Sequence, residues 1–67
     1  MYQIIGVEKN RTRVVVATPA SPGEALTHFR AAQNLFPQII VISPEGEEID
    51  GFELSRRYQK EEAQRSA

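Results

Sequence analysis

Every β-like run in this chain places apolar residues at both odd and even positions, and side chains along a strand alternate between two faces. Ile4 and Ile5, then Val14, Val15 and Val16, then Ile39, Ile40, Val41 and Ile42 put branched apolar groups on both sides of any sheet they build. Such a sheet needs a cover on each face, or it presents a patch that invites association. With 67 residues the chain makes one domain and has few elements to spare for two covers.

The first two runs, residues 2–7 and 12–18, flank Glu8-Lys9-Asn10-Arg11 and read as a β-hairpin. Asn10 tolerates the positive φ of a tight turn. A two-residue Lys9-Asn10 turn pairs Val7 with Thr12, Ile5 with Val14 and Ile4 with Val15. On that register Ile4 and Val15 point one way, and Ile5, Val14 and Val16 the other. Gly6 inside the strand signals a bulge or a close backbone approach.

Ser21-Pro22-Gly23-Glu24 is a helix start: a capping Ser, Pro at the first helical position and Glu three residues after the cap. Ala25, Phe29, Ala32 and Phe36 form one stripe, flanked by Leu26 and Leu35, and Pro37 ends the helix. The spacing predicts a helix over 22–35 with Phe29 and Phe36 buried. Gln38 to Ser43 reads as a strand buried on both faces. Ser43-Pro44-Glu45-Gly46 is a turn, and Glu47-Glu48-Ile49 is a short edge strand at most. Asp50-Gly51-Phe52-Glu53 is a second capping box, opening a helix over roughly 51–61 or beyond.

The order β-β-α-β-(β)-α predicts a small α+β two-layer sandwich, with a mainly antiparallel three-stranded sheet and helices packed on it. The right-handed crossover rule allows the third strand parallel beside the second or antiparallel beside the first. The second arrangement, with the first strand central, is the expected one. Residues 1–60 form the domain and 61–67 a frayed tail. Phe52, Leu54 and Tyr58 are the large apolar residues of the second helix, and Phe52 lies far round it from the other two. The expectation is that this helix covers the second sheet face, with Phe52 buried and the chain monomeric. Otherwise Ile5, Val14, Val16 and their neighbours on the third strand stay open to a second copy or another partner.

Chemistry is thinly signalled. The absence of Cys excludes disulfides, thiolate metal sites and Cys nucleophiles. His28, the one histidine, stands four residues after Glu24 as a helical surface pair. Glu45, Glu47, Glu48, Asp50 and Glu53 suit a hard cation by type, but helix capping and the helix dipole account for carboxylates there. The glycines form no phosphate-cradling loop, and no cofactor is expected. No apolar run reaches membrane-span length. The start, with neither basic n-region nor apolar h-region, predicts a cytoplasmic protein.

The basic residues are the remaining candidates. Lys9, Arg11 and Arg13 cluster at the hairpin, with Arg56 and Arg57 on the second helix; together they are the possible interaction surface. Residues 1–37 carry four basic and two acidic side chains, and residues 38–67 four basic and seven acidic, so the net charge is −1. That balance weighs against a nucleic-acid binder, and edge protection also explains cations on a hairpin. The hairpin followed by Ser21-Pro22-Gly23-Glu24-Ala25-Leu26 resembles the start of antitoxins of the HicB type, which run from a hairpin into a Thr/Ser-x-x-Glu-Ala-Leu helix. The likeness covers about half the chain, without the Pro- and Gly-rich segment between strands and helix, and it implies a protein partner. The expected function is that of a small, soluble, non-enzymatic, bacterial-type protein-interaction module. Its partner is another protein or a second copy. The alternative is a nucleic-acid-binding accessory protein using the basic hairpin.

Overall fold

The computed structural model describes residues 1–66, with side chains through Gln64. Its elements are β1 (Gln3–Val7), β2 (Arg13–Ala17), α1 (Pro22–Ala32), β3 (Gln38–Ile42), β4 (Glu48–Ile49) and α2 (Gly51–Ser66). The sheet is antiparallel throughout, in the order β2-β1-β3-β4. β1 is therefore central and β3 lies antiparallel beside it, as the sequence predicts, and β4 completes a fourth strand. α2 continues through 61–66, where the sequence reading placed a tail, and Ala67 lies outside the described residues.

Both helix starts are capped as their sequences dictate. The Ser21 hydroxyl accepts from the Glu24 N–H at 3.3 Å, and Asp50 Oδ1 accepts from the Glu53 N–H at 2.8 Å. α1 stops at Ala32, short of the predicted 35. Leu35 and Phe36 then both bond back to the Ala32 carbonyl in a tight turn. Phe36 accordingly lies beyond the helix. Both it and Phe29 are half-buried against the core rather than fully buried.

The core lies between the sheet and the two helices: Tyr2, Ile4, Ala25, Leu26, Ala32, Val41 and Leu54, edged by Phe29, Phe36, Ile39, Ile49 and Tyr58. Three aromatic rings in it each sit on a glycine. A Cβ on Gly6 would stand 2.5–2.7 Å from three atoms of the Phe36 ring, and one on Gly51 would stand 2.8 Å from Phe29. Tyr58 covers Gly23 in the same way, at 3.1 Å. The last two contacts are reciprocal. Phe29 of α1 rests on the start of α2, and Tyr58 of α2 rests on the start of α1, so the helices run antiparallel on the same side of the sheet.

That placement overturns the expected cover. Leu54 is fully buried in the core shared with α1, while Phe52 is 80% exposed. Both helices occupy one face and the second has none. The physical reason is the turn of the chain after β4: Ile49 faces the core, and seating Gly51 under Phe29 turns Leu54 inward and Phe52 outward.

Two outcomes follow for stability. Gly6→Ala should lower the urea midpoint by the equivalent of about 1–3 kcal/mol through overpacking. Combining it with Phe36→Leu should lose less than the sum of the single changes; strictly additive losses would show that the ring is not what excludes the methyl. Leu54→Ala should cost about 2–5 kcal/mol, whereas Phe52→Ala should stay within about 0.5 kcal/mol of the parent.

Candidate functional site

The observed hairpin register decides what the uncovered face contains. β1 and β2 are joined by a three-residue loop, Lys9-Asn10-Arg11, closed by bonds from the Arg11 N–H to the Glu8 carbonyl and from the Glu8 N–H to the Thr12 carbonyl. The Asn10 side chain accepts from the Thr12 N–H at 3.0 Å. The left-handed residue is Arg11, at φ 69°, rather than Asn10. One more loop residue than predicted shifts the pairing by one, so Val7 meets Arg13, Gly6 meets Val14 and Ile5 meets Val15; a bulge then brings Ile4 opposite Ala17. A one-residue shift exchanges faces. Val15, not Val14, therefore shares a face with Ile5.

Directly paired residues of neighbouring strands share a face, which makes the open face a set of rows. Val15, Ile5 and Ile40 form the middle row, with Arg13, Val7 and Gln38 on one side of it. Gln3, Ile42 and Glu48 lie on the other side. The centre is apolar and branched. Ile40 is shielded among its neighbours, but Val15 on the outer strand is 59% exposed. Polar and charged side chains make the rim.

Charge is distributed unevenly around that rim. Lys9, Arg11 and Arg13 stand with Glu8 at the hairpin corner, all exposed. Glu48, also exposed, stands at the diagonally opposite corner, where β3 turns into β4. Among the described residues, Arg13 and Glu48 make no ion pair.

The other two predicted cations lie elsewhere. Arg56 pairs with Glu53 at 2.8 Å; Arg57 bridges Glu45 at 3.1 Å and Glu53 at 3.4 Å. Hydrogen bonding to Tyr2 first, and then to Glu45, holds the Arg57 guanidinium above its ordinary value. Tyr2 precedes β1 and Lys9 follows it, so a strand about 17 Å long separates the two basic groups. The five cations predicted as one surface are not brought together. His28 is exposed on α1. Of the acidic segment, Glu45 and Glu53 hold Arg57 and Asp50 caps α2; among the described residues no three His, Asp or Glu side chains gather as a metal site. No helix among them is long and apolar enough to cross a membrane.

Sequence reasoning named the open face through Ile5, Val14, Val16 and their neighbours on the third strand, and missed Val7, Val15 and Glu48. The available signal was the second hairpin. Ser43-Pro44-Glu45-Gly46 closes with the same pair of bonds, Gly46 N–H to the Ser43 carbonyl and Ser43 N–H to the Glu47 carbonyl, and puts Gly46 at φ 87°. Reading both hairpins as three-residue loops gives the correct faces.

No family model matches the chain, and neither a curated protein nor a solved structure matches it significantly.

The two loops differ in one respect: the left-handed position is Gly46 in one and Arg11 in the other. A non-glycine residue there carries strain of about 1–2 kcal/mol, partly offset by the extra unfolded-state freedom of Gly. Arg11→Gly should therefore raise the thermal midpoint modestly. A lower midpoint would show that Arg11 holds the fold through contacts rather than straining it.

Proposed function

We propose that this chain is a small, soluble, non-enzymatic protein-interaction module, and that its contact surface is the open sheet face. One observation carries the reading: both helices pack on the same side, so no second layer lies over the face of Val7, Val15, Ile5, Ile40 and Ile42, where Ile40 is shielded only by its sheet neighbours and Val15 is exposed. An apolar centre inside a polar and charged rim is the usual anatomy of a protein contact. Phosphate recognition needs cations gathered along one surface. Here Arg56 and Arg57 are engaged by carboxylates, and Lys9, Arg11 and Arg13 lie a strand length away. The nucleic-acid reading is the weaker one for that reason.

The test uses a photo-crosslinking residue placed either at Val15, on the open face, or at His28, on the outer side of α1. In living cells the probe at Val15 should form protein adducts of defined mass, and the probe at His28 should not. Equal, diffuse labelling from both positions would sink the interaction reading. Adducts with RNA or DNA from position 15 would move the function to the alternative.

A further inference from the structure

We propose that the occupant of the open face is a second copy of this chain, packed face to face about a two-fold axis lying in the interface, with Arg13 of each protomer against Glu48 of the other. The inference deepens the interaction-module reading and rests on it. What carries it is the self-complementary placement of charge. A two-fold axis brings each surface onto its own duplicate. An apolar patch with like charges at every corner would repel its own copy, whereas one with opposite charges at opposite corners attracts it.

The geometry of the rows says how the copies must cross. Arg13 on β2 and Glu48 on β4 are three strand spacings apart, about 14 Å at ~4.8 Å each. Along the strands they differ by the run from Gln38 to Ile42, which is about 13 Å at ~3.3 Å per residue. The line joining them thus crosses the sheet at close to 45° to the strands. A two-fold axis perpendicular to that line puts Arg13 over the partner's Glu48 and Glu48 over the partner's Arg13. The same operation turns the strands of one sheet nearly perpendicular to those of the other. Near-perpendicular crossing is one of the two ways in which sheets pack. Charge pairing therefore selects one of the two arrangements that sheet packing permits.

The hairpin corner also carries backbone strain. Arg11 occupies a left-handed backbone position that the matching loop of the second hairpin gives to Gly46. Backbone strain retained at a surface position points to a use for the side chain. Arg11 and Lys9 add positive charge beside Arg13, at the corner that meets the partner's Glu48 in the crossed arrangement. The face, about 14 Å by 17 Å, is small beside that of a permanent oligomer, so the dimer belongs to the weak, concentration-dependent class.

Sedimentation of the full chain across about a hundredfold range of concentration, from micromolar upward, reads the proposal. The parent's mass should rise toward double. Arg13→Glu alone and Glu48→Arg alone should each weaken association at least about tenfold, because each puts like charges at both corners. An equimolar mixture of the two single variants should regain a dimer containing one of each, which a misfolded variant cannot do. A parent that stays monomeric at the highest concentration overturns the second copy as occupant. If position 15 nevertheless crosslinks to another protein, the module reading stands without the dimer; if it crosslinks to nothing, both fail. A dimer that tolerates Glu48→Arg would place the contact on the β2 edge, far from Glu48, and would also overturn the proposal.

Discussion

The reciprocal seating of Phe29 on Gly51 and Tyr58 on Gly23 is the contact on which the rest of this molecule depends. It fixes the two helices as one layer on the sheet. Each ring occupies the volume that a side chain on the facing helix would need, so the helices approach closely with few large residues. Phe36 on Gly6 repeats the device between the end of α1 and the central strand. Three of the chain's five Phe and Tyr rings edge the helix-side core in this way, set into gaps left by missing side chains. Leu54, Val41 and Ile4 fill the middle and are fully buried.

One layer of helices means one covered face. The sheet still alternates its side chains, so whatever packing the helices gain on the Ile4 side, the Ile5 side receives none. The pairing pattern concentrates the uncovered groups: Val15, Ile5 and Ile40 lie in one row across three adjacent strands. A row of branched residues makes a smooth, stiff surface, since these side chains have little rotamer freedom to lose on contact. Apolar burial with a low entropic penalty is what a small contact area needs if it is to bind at all.

Much of this was legible in the sequence, and the parts that were not have physical causes. Helix starts are written in local chemistry, and Ser21 and Asp50 cap the helices their motifs announce. For strand order the handedness rule left two choices, and the expected one, with β3 antiparallel beside β1, is the one observed. Register was misread because it depends on a single loop residue, and Arg11 is a poor advertisement for a left-handed conformation. The side taken by α2 was misread because Phe52, the largest apolar residue in its first turn, is the one that points to solvent. Burial there is decided by Gly51, whose contribution is a gap, and a gap has no hydropathy. The open face was thus visible as an excess of apolar residues, but which residues line it required the pairing.

Arg11 brings the two themes together. In a loop whose geometry calls for a left-handed residue, glycine relieves the strain, and the second hairpin of this same chain uses it. The first hairpin carries a cation there, two positions after Lys9 and two before Arg13. Local stability and the charge of the corner therefore ask for different residues, and the chain has the residue that suits the charge. A corner needed only as edge protection could place its cations on the strand, where they carry no backbone strain. Cation and strain at one position argue that the charge is used beyond the fold, and on the proposed dimer face the group diagonally opposite this corner is Glu48.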